Sequence, residues 1–262
     1  MNYKLRFEDP KVVEETTLLN RINEQIVGLP NSNADLMFGI KWGAYEKLFT
    51  PAYWKVQYLM YTENDKFDIE YRFGDNIYEE VVACLLGGFG LKSEVGLAAF
   101  DRLRRKNLIR SGTKYEDIIS CLEKPFELNG KKIRYRFPNQ KSKYITQFLN
   151  RNDLDNIPLF DDIELRDWLL SINGIGPKTA AWVTRNYLNS ENVAIIDIHI
   201  YRALLIMGLY KQSYSVQKDY VKLEHIFLKF CGELDVLPSR MDALIWLQMK
   251  QANRNVLKLI NQ

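Results

Sequence analysis

Cysteine and histidine are scarce in this chain, which has three cysteines (Cys84, Cys121, Cys231) and two histidines (His199, His225) in 262 residues. The cysteines lie far apart, form no CxxC pair and make no zinc-ligand spacing with the histidines, so no metal site built from side chains is expected. An odd, sparse set of this kind reads as three reduced core thiols. Long hydrophobic runs are also missing. The longest, such as Val193 to Ile196 and Ala203 to Met207, are far too short to cross a bilayer. The first residues, MNYKLRFEDPKVVEE, hold no apolar stretch ahead of a small-residue cleavage site, so no secretory signal is expected and a cytoplasmic setting follows. Internal repeats and low-complexity linkers are absent, and strand-like alternation is confined to Phe67–Phe73 (FDIEYRF) and Lys132–Phe137 (KIRYRF).

Hydrophobic residues make up 47% and charged residues 26%, an ordinary balance for a globular protein large enough to bury a core. The formal net charge is only +3, and its distribution is more informative than its sum. Six Lys or Arg residues and no acid lie between Arg102 and Lys114, and the same count recurs between Lys131 and Lys143. Asp153 to Asp167 carries six acids instead. A basic run is often only a solvated face, but two of them beside a nucleic-acid motif suggest a phosphate-contacting surface.

The periodicity predicts an all-α fold. Apolar residues at Ile77, Val81, Val82, Leu85 and Leu86 follow helical spacing from Asn76 until Gly87-Gly88 stops them. Ser93 is placed to cap a second helix through Leu103, and further helices fit Lys143–Leu149, Thr179–Leu188, Ile198–Met207, Asp219–Phe230 and Met241 to the end. Asp161-Asp162 caps one that contains Leu165, Trp168 and Leu169. The expected organisation is an aromatic-rich segment, residues 1–74, packed on a helical body, residues 75–262, with a helix-hairpin-helix at about 165–188. Trp42, Tyr45, Phe49, Tyr53, Trp54, Tyr58 and Tyr61 are read as core rather than as a base-stacking platform.

The informative segment is LLSINGIGPKTAAWVTRNYLNSENVAIIDIHIYRA, Leu169 to Ala203. Gly174-Ile175-Gly176 makes a tight turn, Ile175 can pin it to the core, and Pro177 suits the first helical turn, where its missing N–H has no intrahelical partner. Such a turn leaves backbone N–H groups at a helix amino terminus, which suits either an ordinary αα-hairpin or an anion site for a DNA phosphate. Lys178 follows at once. The positive end of the helix disfavours its ammonium, an environment that suits a nucleophilic amine, although a plain phosphate contact fits the same position. Asp197 comes nineteen residues later, after Val193–Ile196, where a carboxylate can cap the helix at Ile198, face a cleft, or both.

GIGPKTA followed by IIDIHIYRA resembles the helix-hairpin-helix DNA glycosylase superfamily, nearest to its 8-oxoguanine DNA glycosylase/AP lyases. The resemblance implies two helical lobes flanking a DNA-binding cleft, with Lys178 and Asp197 catalytic. The hairpin lysine separates the chain from the monofunctional branches, and the missing four-cysteine cluster separates it from the iron–sulfur branch. His199 matches a phosphate-contacting position. Glu80–Leu103 resembles the family's earlier helix-turn-helix, whose loop fills the gap left by a flipped base, which makes Phe89 and Leu91 candidates. Tyr135–Ile145 (YRFPNQKSKYI) resembles the segment on the other side of the lesion, with Gln140 a wedge and Lys141 a DNA contact. Gln248 and Phe227 are the candidates for the base pocket. The amino-terminal part looks like the compact bacterial and archaeal versions.

The resemblance further implies a monomer acting on double-stranded DNA with a damaged base, without membrane, organic cofactor or iron–sulfur cluster, though a cation can bind hairpin carbonyls. The implied reaction flips the base out, removes it through a lysine Schiff base and cleaves the strand by β-elimination. An oxidised purine, 8-oxoguanine first, is the favoured lesion. Another damaged base on the same fold, or a non-catalytic DNA-binding role for the hairpin, are the alternatives.

Overall fold

Caps and breakers set most of the helix boundaries. The structure is a computed structural model that describes residues 10–62, 72–88 and 90–260, with side chains from 19 to 252 within those ranges. In chain order the first elements are α1 (Pro10–Val27), β1 (Asp35–Met37), β2 (Ile40–Lys41), α2 (Pro51–Thr62), α3 (Ile77–Leu86), α4 (Ser93–Arg105) and α5 (Tyr115–Leu122). There follow β3 (Phe126–Leu128), β4 (Lys131–Ile133), α6 (Pro138–Leu149), α7 (Asp162–Leu169), α8 (Pro177–Leu188), α9 (Ile198–Met207), α10 (Tyr220–Glu233) and α11 (Pro238–Ile260). The mainly helical fold expected from periodicity is the fold observed.

Asn76 caps α3 by accepting the Glu79 N–H, and Asp161 caps α7 by accepting those of Ile163 and Glu164. Ser93, expected as a cap, is instead the first helical residue of α4; the capping position is Lys92, which makes no side-chain cap bond. The helix expected from Lys143 begins earlier, at Pro138, because proline tolerates the first turn. Of the two strand-like stretches, Phe67–Phe73 falls almost wholly outside the described residues. Lys132–Phe137 supplies β4, which pairs antiparallel with β3 (Phe126 opposite Ile133). Asn129 and Gly130, at φ 52° and 70°, turn this hairpin, an Asn-Gly type I′ signal that periodicity alone passes over. A second small hairpin pairs β1 with β2.

The chain divides into two compact units. The first draws on Met1–Ile69, Ile198–Ser215 and Lys229–Gln262, the second on Glu70–Asp197 and Val216–Leu228. In the first, α11 packs on α9 and α2. Trp42, Phe49, Trp54 and Tyr58 are buried there, and Phe49, Tyr53 and Trp54 pack with ring centroids 5.2–5.9 Å apart, so these aromatics are core as expected. Tyr45 is the exception, exposed at the surface. Among the described residues no helix is long and apolar enough to cross a membrane.

The second unit is built around α3. Its sequence, IYEEVVACLL, is apolar nearly all round, and a helix of that kind has to be enclosed; α4, α6 and α8 pack on it. Glu80 is fully buried in this setting. Its Oε2 accepts the Phe73 N–H at 2.7 Å and the Gly74 N–H at 3.3 Å, and its Oε1 accepts Asn186 Nδ2 of α8 at 2.9 Å. One carboxylate therefore ties the turn before α3 to the far end of α8, where Arg72 also donates to the Tyr187 carbonyl. The cysteine thiols are buried and free. Burial pushes the Cys84 thiol well up, and the neighbouring Glu80 carboxylate adds to the shift, so Cys84 is an inert core thiol.

Burial also raises the Glu80 carboxyl above the ordinary glutamate range, against the opposing effect of its hydrogen bonds. A raised carboxyl keeps its proton in the folded state where the unfolded chain has lost it. Its contribution to stability is therefore complete below the ordinary glutamate pKa and declines as pH rises through the raised one. Urea melts should show unfolding free energy falling across that window, with a shallower fall in Glu80→Gln; parallel curves for the two proteins would refute the assignment. Glu80→Ala, which orphans three buried donors, should cost about 2–4 kcal/mol.

Candidate active site and nucleic-acid interface

The hairpin turn is set by two short backbone bonds, Ile172 N–H to Leu169 O at 3.0 Å and Ile175 N–H to Ile172 O at 3.1 Å. Gly174 lies at φ 90°, and a Cβ there would stand 2.2 Å from the Tyr144 ring of α6, so both backbone and packing require glycine. Ile175 is buried and pins the turn to the core, as its position predicts. Gly176 precedes α8 with no side-chain cap, and a Cβ on it would meet only open space. The first-turn N–H groups of α8 therefore open outward without a protein acceptor from the capping residue. That is the arrangement an anion fills.

Lys178, half-buried in the first turn of α8, holds its Nζ 5.9 Å from the centre of the Trp182 ring one turn on. Trp182 meets Phe73 edge to face at 6.0 Å, and its far edge comes within 3.4 Å of where a Gly87 side chain would begin. The α3–α4 loop is thereby brought to the lysine. The same loop is held from α6 and the segment before it. Lys141 Nζ reaches the Gly87 carbonyl at 3.5 Å, the buried Tyr135 hydroxyl donates to Leu86 O at 2.7 Å, and Arg136 donates to Gly90 O at 3.4 Å. Burial lowers the Lys141 amine and raises the Tyr135 phenol. Three segments singled out in the sequence thus converge within one unit: the hairpin, the loop after α3, and Tyr135–Ile145.

Individual candidates in these segments fare differently. Leu91 is half-buried against the core beneath the loop. Phe89 lies outside the described residues. Gln140 is exposed on α6 and donates to the Tyr144 hydroxyl at 3.0 Å. The basic runs are also mixed. Arg102 serves the fold, donating to the carbonyls of Cys121, Lys124 and Pro125 and stacking 3.5 Å above the Phe126 ring, and Arg104 pairs with Asp75 and Glu79. Lys106, Arg110, Lys114, Lys131, Lys132, Arg134 and Lys143 stay exposed or half-exposed with no ion pair among the described residues.

Asp197 is buried at the end of an irregular stretch, Val193–Ile196, whose residues other than Ile195 are also buried. Two residues of α10 brace that stretch. Glu224 accepts the Ala194 N–H at 3.0 Å and is paired with Arg166 at 3.0 Å, while the Tyr220 hydroxyl donates to Ala194 O at 2.8 Å and accepts the Ile196 N–H at 3.2 Å. Periodicity could not expose Tyr220 or Glu224, because the bonds they make link positions 24 to 30 residues apart. Trp182 carried no separate signal either.

The remaining candidates are spread over both units. In the first unit, half-buried His199 on α9 meets the exposed Trp246 ring edge to face at 6.4 Å, and Lys250 stands 4.3 Å over the same ring. Gln248 accepts from the Tyr53 hydroxyl at 2.9 Å and donates to Gln57 at 2.7 Å. Phe227, which belongs to the second unit, is fully buried. No group of three or more His, Cys, Asp or Glu residues among the described ones could hold a metal ion.

Comparison with known proteins agrees with this geometry. A family model for 8-oxoguanine DNA glycosylase matches residues 62–236, about two thirds of the chain. An 8-oxoguanine DNA glycosylase/AP lyase of Metallosphaera sedula is 30% identical over 188 residues, covering 70% of this chain and 86% of that protein. Among solved structures, the 8-oxoguanine DNA glycosylase of Thermotoga maritima has a TM-score of 0.52 at 22% identity, covering 90% of this chain and 97% of its own. The 3-methyladenine DNA glycosylase of H. pylori has a TM-score of 0.54 at 19% identity over 76% of this chain and 97% of its own, so the fold is shared across lesion classes. The hairpin glycines, the lysine at the open end of α8 and the braced aspartate belong to a matched segment, and the chain is a member of the 8-oxoguanine DNA glycosylase family.

Proposed function

We propose that this protein is a DNA glycosylase with AP lyase activity that removes an oxidised purine, 8-oxoguanine foremost, from double-stranded DNA. The observation that carries the reading is the position of Lys178 in the uncapped first turn of α8, within the segment that includes the braced Asp197. In this reading the hairpin N–H groups of α8 hold a backbone phosphate, with His199 and Lys141 as further contacts, and Gln140 with the Phe89–Leu91 loop fills the space a flipped base leaves. Gln248 and Phe227 are the residues assigned to the base pocket, and the exposed Trp246 ring is a surface on which an unstacked base could lie.

The chemistry follows from the two catalytic residues. The free amine of Lys178 attacks C1′ as the N-glycosidic bond breaks, and the base leaves with the bonding pair and takes up a proton. The sugar acquires positive charge in this step, and the Asp197 carboxylate stabilises it electrostatically. Opening of the sugar ring converts the C1′–N adduct into a Schiff base. Loss of a C2′ proton then expels the 3′ phosphate by β-elimination, and water releases the sugar remnant from the lysine. Tyr220 and Glu224 act on Asp197 through the Val193–Ile196 stretch and are positioning residues.

No organic cofactor enters the scheme. A cation at the hairpin is compatible with the turn, because the carbonyl oxygens of Asn173, Gly174 and Ile175 accept no hydrogen bond among the described residues. These hard oxygen donors would hold it, and it would supply charge to a phosphate.

Borohydride trapping on a panel of duplexes, each with one lesion, tests the assignment. A covalent adduct is expected with the 8-oxoguanine duplex and none with Lys178→Gln. Adducts with other lesions alone would move the substrate to another damaged base. Absence of adduct with any lesion or abasic site would leave the hairpin a non-catalytic DNA-binding element. Asp197→Asn should lower the single-turnover rate about 10²–10³-fold, a typical loss for a preorganised electrostatic partner. Tyr220→Phe should lower the same rate about tenfold with duplex affinity unchanged, because displacement of a catalytic group affects the bond-breaking step before it affects binding. An equal loss of affinity would make Tyr220 a structural residue only.

A further inference from the structure

A groove of about 620 Å³ runs between α5 and α6, lined by Tyr115, Asn139, Gln140, Lys143, Thr146 and Gln147. Its two walls are joined: the Tyr115 hydroxyl donates to Asn139 Oδ1 at 3.1 Å, and Asn150 bonds both Gly112 N–H and Thr113 O at 3.1 Å. The α6 wall is also continuous with the hairpin. Tyr144 presses on Gly174, Gln140 donates to Tyr144, and Gln147 Oε1 accepts from Asn173 at 3.2 Å. From this continuity we propose that the groove is a second seat for the DNA backbone. It would take a sugar–phosphate of the strand whose neighbouring phosphate the hairpin holds. The inference rests on the hairpin reading given above.

The exposed floor of the groove is almost wholly carbon, which suits a deoxyribose face, and the polar ends of three lining residues are what a phosphate would meet. Among the described residues Asn139 and Gln147 each commit only their carbonyl oxygen, which leaves the Nδ2 and Nε2 donors without partners there. Lys143 is exposed and forms no ion pair or side-chain hydrogen bond among the described residues. Two amide donors and an ammonium match the oxygens of a phosphodiester. The Tyr115 ring and the Thr146 methyl offer carbon for a deoxyribose face. Glu116 and Asp117 follow Tyr115 on α5, but neither lines the groove.

Neutral methylphosphonates, placed one at a time along the lesion strand of a duplex with a non-cleavable abasic analogue, test the site. One position should weaken binding of the unmodified protein about three- to tenfold, yet cost Lys143→Ala nothing further. Lys143→Ala should also shorten the slope of log affinity against log salt by about one, the expected loss for one phosphate contact. Lys143→Arg should restore both. Strictly additive losses at every position, with the unmodified protein still bound, would overturn the groove while leaving the hairpin reading intact. Loss of every methylphosphonate effect, including that at the hairpin phosphate, would overturn both.

Discussion

The hydrogen bond from the Asn186 amide to the buried Glu80 carboxylate fixes the rotation and depth of α8, and the proposed chemistry is arranged along that helix. A helix whose amino terminus is left without a side-chain cap is not anchored at that end. The hold has to come from its sides and its far end. Glu80 and Arg72 supply it near residues 186 and 187, and Trp182 supplies it midway by filling the space under Gly87. Lys178 is left as the one cation of the first turn, half-buried beside an aromatic ring. The open end and the buried carboxylate are thus two parts of one solution. Uncapped N–H groups cost stability in an isolated helix, and tertiary packing offsets that cost here.

A similar arrangement serves Asp197. The stretch that carries it is neither helix nor strand, so its backbone groups lack the ladder partners that regular structure provides. Glu224 and Tyr220 provide substitutes, and Glu224 is held in turn by Arg166. Glu224 also titrates above the ordinary glutamate range because it is buried, and the Ala194 N–H and Arg166 pull it the other way. Two buried carboxylates, on α3 and α10, therefore do comparable work. Each satisfies irregular backbone, and each is expensive to remove because buried donors would be left unpaired.

How much of this was legible in the sequence depends on the range of the interaction. Helices α3, α8 and α9 were readable because their periodicity and the breakers that bound them lie within ten or so residues of one another. Lys178 and the hairpin glycines were readable because a tight turn followed by proline is a local signal. Ser93 misled because a serine before an apolar run fits a cap and a first-turn residue equally well, and only the backbone angles decide. The six cations of each basic run looked alike in sequence. Arg102 is drawn into carbonyls around residue 124 while Lys143 stays free, a distinction made by packing 20 or more residues away. Glu80, Tyr220 and Glu224 were invisible for the same reason, since a buried polar residue declares itself only through the distant partner that satisfies it.

Range also separates what this site does from what it does it to. The residues proposed as nucleophile, phosphate-holding turn and charge-stabilising carboxylate are fixed by backbone geometry in the second unit, and that fold is shared by structures of enzymes named for different bases. Structures of an 8-oxoguanine enzyme and a 3-methyladenine enzyme match this fold equally well. Lesion choice must then lie with side chains that contact the base without contributing to the frame. Trp246 has the features such a residue needs: a large ring left exposed and flanked by His199 and Lys250. A stacking face of that kind accepts any flat base, so the discrimination of an oxidised from an unmodified purine falls to the few polar groups around it.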